Sequence, residues 1–293
     1  MRNFIRVLLV LILIGFSGYI ITNLQKKPEV TTKLSVVASV YPLSYLASEL
    51  GGDRVEVTTI TPAGAEPHDY EPTAQDMAVI EQSKLLIMNG SGLEPWGDKV
   101  NELFRGSKIT IINASGKSTG DPHLWLSPQL AKTEAAAIAL GLIKIDPTNK
   151  AYYQQREVRL DQALDELDAM YKNGLVNCRQ KDFVTSHAAF GYLATEFGLN
   201  QIPISGLSPD EEPSAQKLAE IANFVRNHQI TYIFFERLVS PKLADTIAKE
   251  TGAQTMVLDP LEGVTENDLR NGKTYITIMQ ENLAHLRTAL ECQ

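Results

Sequence analysis

The sequence predicts an α/β protein made of two parallel-sheet lobes joined by a long rigid backbone helix. Three observations carry that expectation. From residue 33 onward, short β-rich runs alternate with helical runs, the pattern of a parallel sheet covered on both faces. The alternation is interrupted once, over 149–173, by the longest helical pattern in the chain, and then resumes. The 293 residues exceed one small core and suit two lobes of ordinary size. The implied organisation is an N-terminal lobe over 33–145, a linking helix over 149–173 and a C-terminal lobe over 178–293.

The elements follow in order. Lys33–Tyr41 reads as a buried strand, which Pro42 ends. Leu43–Leu50 is helical and stops at Gly51-Gly52, and Val55–Thr61 is a second strand. A Pro- and Gly-rich loop, Pro62–Pro72, leads to Thr73, which with Asp76 three residues later has the spacing of a helix cap. That helix runs to about Ser83, and strands follow at Leu85–Asn89 and Lys108–Asn113. Ser127-Pro128 is a helix start, serine as cap and proline in the first turn, for a helix over Pro128–Lys144.

In Asn149–Asn173, Leu160, Leu164, Leu167 and Tyr171 share one face and charges occupy the other. At 1.5 Å per residue it spans roughly 37 Å, longer than a crossover needs, with Gly174 as the expected stop. Strands are then expected at Asp182–Thr185, Ile202–Ile204, Thr231–Phe235 and Gln254–Leu258, and helices at His187–Phe197, Pro213–Asn227, Pro241–Thr251 and Tyr275–Leu290. The two halves are alike in organisation, without a short-period repeat.

The N-terminus bears on location. Met1–Arg6 is short and basic, Val7–Phe16 is almost continuously apolar, and polar Thr22–Lys27 follows. That is the order of a secretory signal, and residues 1–27 are read as a signal peptide or an uncleaved N-terminal anchor with the body outside. No small-x-small cleavage site is evident, and no cysteine lies near for lipid attachment. The formal charge is -8; setting aside the four basic residues of 1–27 leaves 23 basic against 35 acidic residues. An acidic body argues against nucleic acid as a partner. The two cysteines, Cys178 and Cys292, are expected to form a disulfide outside the cytoplasm; they lack the spacing of a thiolate metal site.

Five histidines are present. His228, at a polar helix end, and His285, on the last amphipathic helix, read as surface residues. The other three share a context. His68 lies in Glu-Pro-His-Asp after a strand, His123 in Asp-Pro-His-Leu-Trp before a helix start, and His187 in Thr-Ser-His-Ala where a strand turns. In a parallel sheet such turns gather at the C-terminal ends of the strands, where α/β proteins place ligand sites. A helix starting at His187 would disfavour imidazolium and keep the ring ready for a metal. A fourth ligand should come from the second half at another strand end. Asp259, directly after Val257-Leu258 and before Pro260, is the best-placed carboxylate, though an Asp before proline also forms turns; Glu66 and Asp69, flanking His68, are its rivals.

At these motifs the chain resembles the ZnuA/TroA family of metal-binding proteins of ABC importers. The matching stretches are Val-Val-Ala-Ser-Val-Tyr-Pro-Leu at 36–43, Gly-Ala-Glu-Pro-His-Asp-Tyr-Glu-Pro-Thr at 64–73 and Asn-Gly-Ser-Gly-Leu-Glu-Pro-Trp at 89–96. Further along come Asp-Pro-His-Leu-Trp-Leu-Ser-Pro at 121–128, Ser-His-Ala-Ala-Phe-Gly-Tyr-Leu at 186–193 and Leu-Asp-Pro-Leu at 258–261. They occur in family order and cover nearly everything after the N-terminal segment. The resemblance implies two lobes with the metal between them, Asn149–Asn173 as the backbone helix, and His68, His123, His187 and Asp259 as ligands. It implies an extracytoplasmic, monomeric solute-binding protein that hands a divalent metal to an ABC permease in the membrane. There are departures: the N-terminal lipid anchor of many relatives and the long His-rich loop of many zinc members are absent here. Manganese members of the family typically carry glutamate where this chain has His187.

Three imidazoles and one carboxylate suit tetrahedral zinc, whereas manganese favours more oxygen ligands, so zinc is expected over manganese. A hydrolytic zinc enzyme is the competing class. It requires an open position for water, and neither an HExxH nor a nucleophile motif is present, so the chain is not read as an enzyme. A surface adhesin, a role sometimes assigned within the family, is demanded by no feature of the sequence.

Overall fold

The computed structural model describes residues 33–116 and 120–293; the N-terminal segment read as a signal or anchor lies outside them. No helix among the described residues is long and apolar enough to cross a membrane.

The first lobe is built from β1 (Leu34–Ala38), α1 (Tyr41–Gly51), β2 (Val55–Thr59), α2 (Ala74–Gln82), β3 (Leu85–Met88), α3 (Gly97–Leu103), β4 (Thr110–Asn113) and α4 (Pro128–Ile145). Its four strands are parallel, in the order β2-β1-β3-β4. The linking helix α5 spans Lys150–Leu175. The second lobe contains β5 (Asp182–Thr185), α6 (Gly191–Phe197), β6 (Asn200–Pro203), α7 (Ala215–Asn227), β7 (Tyr232–Phe235), α8 (Lys242–Thr251), β8 (Gln254–Val257), α9 (Glu266–Arg270) and α10 (Tyr275–Ala289). Its parallel sheet has the equivalent order β6-β5-β7-β8. In each sheet the chain crosses from one side of the first strand to the other, so the loops after β1 and β3, and after β5 and β7, flank a switch point where ligands bind.

The expected helix starts are present as caps. Thr73 Oγ1 accepts the Asp76 amide while the Asp76 carboxylate accepts the Thr73 amide. Ser127 Oγ accepts the Leu130 amide ahead of Pro128 in α4. Leu160, Leu164, Leu167 and Tyr171 of α5 are all buried. They lie in one apolar core that also contains Val36 and Leu85 of the first lobe and Phe183, Leu258 and Tyr275 of the second. Tyr171 Oη donates to the Met279 carbonyl of α10 at 2.7 Å. The two lobes therefore share a continuous apolar core, which opposes a wide hinge opening.

Three local expectations are corrected. Gly174 does not end the linking helix, which continues to Leu175. A Cβ there would lie 3.1 Å from Leu283 Cδ1 and 3.2 Å from Arg287 Cδ, so this glycine permits close approach of α10 rather than stopping α5. The helix expected from His187 begins only at Gly191. Two short helices, α3 and α9, were not expected. Cys178 and Cys292 form the expected disulfide.

Glu134 of α4 is fully buried, and neither carboxyl oxygen has a hydrogen-bond partner among the described residues. Burial, with Glu94 nearby, pushes its carboxyl well above the ordinary range. A carboxyl with a raised folded-state value gives stability that is complete below its unfolded value and is lost as pH rises toward the folded one. Glu134→Gln is thus expected to raise the urea midpoint at pH 8 and leave it little changed at pH 4. An equal shift at both pH values would show that burial of this proton is not the cause.

Candidate metal centre

The three histidines stand where loops leave the C-terminal ends of the strands: His68 after β2, His123 after β4 and His187 after β5. Each loop is held by neighbours. In the His68 loop, the Gly64 amide donates to the Val264 carbonyl of the other lobe at 2.9 Å, with Gly64 at φ 86°, a conformation that glycine adopts at little cost. Ahead of His123, the Pro122 carbonyl accepts Asn89 Nδ2 at 2.9 Å. Asn89 opens the loop after β3, where the Glu94 carboxylate gathers the Asn89 and Gly90 amides and Ser39 Oγ. The His187 carbonyl accepts Thr185 Oγ1 at 2.7 Å and Gln201 Nε2 at 2.8 Å.

The rings converge on one oxygen. Glu262 Oε1 lies 3.1 Å from His68 Nε2, 2.7 Å from His123 Nε2 and 3.1 Å from His187 Nε2. The His123 and His187 side chains are fully buried, and those of Glu262 and His68 are 1% and 8% exposed. His123 Nε2 and His187 Nε2 are 3.4 Å apart. Two ligands of a tetrahedral zinc with bonds of 2.0–2.1 Å stand about 3.3 Å apart, so the spacing fits one ion. Glu262 Oε2 is buried with no hydrogen-bond partner among the described residues, a further acceptor available to a cation. Among the described residues, these four alone form a group of three or more potential ligands with donor atoms within 4.8 Å of one another.

Two carboxylates behind the rings were not anticipated. Asp121 Oδ1 lies 2.7 Å from His123 Nδ1 and accepts the His123 amide at 2.9 Å. Glu236 Oε1 lies 2.7 Å from His187 Nδ1. Such partners fix ring orientation and direct Nε2 toward a metal. Glu236 carried a legible signal: a charged residue directly after the apolar strand Tyr232–Phe235, beside the switch point of its sheet.

Asp259 is not at the centre. Its Oδ1 accepts the Leu261 amide at 2.9 Å, and its Oδ2 pairs with Arg237 Nε at 3.1 Å. The carboxylate that joins the histidines comes three residues later, because the chain must turn after β8 before it can face them. The sequence signal was present in the same run, Leu-Asp-Pro-Leu-Glu. Of the rivals, Asp69 is exposed, and Glu66 Oε1 accepts the His68 amide at 3.4 Å. His228 is a surface residue, stacked on Phe224 and paired with Asp182. His285 is half-buried, Nδ1 2.8 Å from the Val257 carbonyl, so it anchors the end of β8 rather than lying on the surface.

The electrostatics correct one more expectation. Burial would lower the His187 ring, but Glu262 and Glu236 outweigh it and raise the ring well above the ordinary histidine value. The ring is therefore not kept neutral by a helix end. His123 is also raised, against burial, by Asp121 and Glu262. Burial alone would raise Glu262, yet His187 and His123 hold it well below the usual carboxylate range. Burial and the neighbouring Glu262 push Glu66 up to about 9, and burial pushes Asp259 up to about 6, partly offset by the Leu261 amide and Arg237. The site is a carboxylate inside a cage of imidazoles.

Comparison with known proteins shows the family to which the chain belongs. A family model described as zinc-uptake complex component A, periplasmic (ZnuA), matches residues 36–289. The high-affinity zinc uptake system protein ZnuA of Bacillus subtilis is 37% identical over 280 residues, covering 88% of each chain. The zinc-binding lipoprotein AdcA of Streptococcus pneumoniae is 35% identical over 94% of this chain, which spans only 60% of that longer protein. The Zn(II)-bound ZnuA-like domain of the same AdcA superposes with TM-score 0.80 at 38% identity, over 89% of this chain and all of the domain. The laminin-binding protein Lmb of Streptococcus agalactiae, described as having adhesin and metal-transporting activity, gives TM-score 0.81 at 38% identity, over 88% of this chain and 99% of that one. With a family model spanning nearly the whole described chain and relatives above one-third identity, this chain belongs to the ZnuA family of periplasmic zinc-uptake components.

Proposed function

We propose that the chain is the solute-binding component of an ABC importer, capturing zinc outside the cytoplasm and passing it to a membrane permease as a monomer. The observation that carries this reading is the convergence of three imidazole nitrogens and one carboxylate in a buried pocket. His68 and His123 come from the first lobe, and His187 and Glu262 from the second. Three nitrogens and one oxygen suit tetrahedral zinc better than manganese, which favours more oxygen donors. Four protein donors also leave no open position for a catalytic water, which supports transport rather than hydrolysis. The apolar body after residue 6 and the basic residues before it support an N-terminal signal or tether.

The test is a competition titration against a chromophoric chelator, with zinc and manganese at equal free concentration. Zinc retention is expected; preferential manganese retention would overturn the assignment. The pH dependence follows from the site. Metal binding requires neutral His187 and His123, both of which hold protons more tightly than ordinary histidines, whereas Glu262 is already ionised. Acidification adds competing protons, so affinity is expected to fall by about tenfold per pH unit for each proton displaced. Between pH 7.5 and 5.5 that amounts to a loss of about 100-fold or more. An affinity independent of pH over this range would contradict the protonation described for the cage.

A further inference from the structure

Three features meet in the turn that delivers Glu262. The first is its backbone. Leu261 has φ 57°, in the left-handed region, and its side chain is fully buried. That region is unfavourable for a leucine and is held only where the surroundings impose it. Leu261 directly precedes Glu262, so its dihedrals set the direction in which the ligand side chain leaves the chain.

The second feature is the frame around the turn. Asp259 Oδ1 accepts the Leu261 amide at 2.9 Å. Asn282 of α10 grips the Asp259 backbone on both sides, accepting its amide at 2.9 Å and donating to its carbonyl at 2.6 Å. Trp125 Nε1, from the first lobe, donates to the Pro260 carbonyl at 2.7 Å. Gly263 lies so close to its surroundings that a Cβ would be 2.9 Å from Leu238 and 3.3 Å from the Ala65 carbonyl.

The third feature is Arg237. Its Nε pairs with Asp259 Oδ2 at 3.1 Å and its Nη2 with Glu281 at 3.3 Å, while Nη1 stands 4.0 Å from Asp268. Arg237 also follows Glu236, the carboxylate that orients His187. One guanidinium thus ties the turn after β8 to the loop after β7 and to α9 and α10.

We propose that Arg237 and Asp259 form a latch that holds Leu261 in its left-handed conformation and so keeps Glu262 aimed at the three histidines. Both are positioning residues for metal capture, and the proposal rests on the zinc-binding reading. With the latch intact, the Asp259 carboxylate has one oxygen on the Leu261 amide and the other on Arg237. With Arg237 gone, the carboxylate is free to rotate off that amide. Leu261 then relaxes toward the right-handed region, Glu262 swings away, and the ion is left on three imidazoles from which it departs faster.

The decisive variant is Arg237→Gln, because two explanations give it opposite signs. If Arg237 acted only as a nearby charge, its loss would tighten the hold on a cation. If it is a latch, its loss speeds zinc dissociation by about tenfold, the scale seen when a partner behind a metal ligand is removed. Dissociation is measured by transfer of zinc from loaded full-length protein to excess chelator. Arg237→Lys keeps a cation for Asp259 and is expected to recover part of the loss. Asp259→Asn keeps an acceptor for the Leu261 amide, drops the pairing charge and is expected to fall between wild type and Arg237→Gln. Rates are read on samples whose circular dichroism matches wild type. Should Arg237→Gln fail that criterion, Arg237→Lys decides: it keeps the charge, so a nearby-charge role alone predicts an unchanged rate and the latch a faster one. Normal zinc uptake by the unaltered protein with unchanged or slower dissociation from Arg237→Gln would overturn the latch alone. Failure of the unaltered protein to take up zinc would overturn the function and the latch together.

Discussion

Replacing Glu262 with alanine is expected to weaken zinc binding by about a thousandfold, ~4 kcal/mol, the largest loss from any single substitution in the centre. Glu262 is the only anionic member of the group of four. It is also the only one whose oxygen is within 3.1 Å of all three imidazole nitrogens. Its removal deletes a ligand and the charge that offsets a divalent cation in a site almost closed to solvent. Asp259→Asn is expected to cost less than about tenfold, since Asp259 acts through the Leu261 amide and Arg237. Competition titrations of the two variants side by side make the comparison. A larger loss from Asp259→Asn than from Glu262→Ala would restore Asp259 to the ligand set and remove the case built on Glu262.

The second large effect concerns folding. Cys178 and Cys292 are 114 residues apart in sequence and joined by a disulfide. Closing a loop of that length removes roughly 4–5 kcal/mol of unfolded-chain freedom in the chain-entropy model. The Cys178→Ser, Cys292→Ser double variant is therefore expected to lose most of that amount in urea unfolding of the metal-free protein. The bond sits where the end of α5 meets the end of α10. There the Gln180 amide donates to the Leu290 carbonyl at 3.0 Å and the Gln293 amide to the Asn177 carbonyl at 3.1 Å. α10 carries Asn282, which grips Asp259, so fraying of this corner would reach the metal centre. Intact mass with and without reductant identifies the bond in the mature protein. Coincident unfolding curves for wild type and the double variant would show that the bond carries no stability.

Much of the fold was legible because its signals are local. β-rich runs, helix caps at Thr73 and Ser127, and the apolar face of the long helix depend on neighbours a few residues apart. The misses have physical causes. α3 is seven residues long and buries only Val100, too short to show a period. α9 is shorter still, although Thr265 and Asp268 form a reciprocal cap that the sequence alone could have offered. Gly174 was misread because its role is a contact with Leu283 more than one hundred residues away. The three histidines were legible from position at strand ends. Glu262 was not, because proximity to β8 favoured Asp259. The turn that reverses this choice passes through a left-handed leucine, a conformation that residue type gives no reason to expect.

The duplicated sheet order has a consequence for the metal-loaded protein as a whole. On the proposed ligand set each lobe supplies two donors, and neither lobe alone completes a four-coordinate ion. Zinc bound there would be a cross-brace between two halves of one chain, added to a shared core and a disulfide at the far corner. An ion that binds only the folded protein shifts the folding equilibrium by its own occupancy. On that ligand set, loaded and unloaded molecules are expected to differ in resistance to heat and proteases while differing little in architecture, so the protein's durability would record whether it carries its cargo.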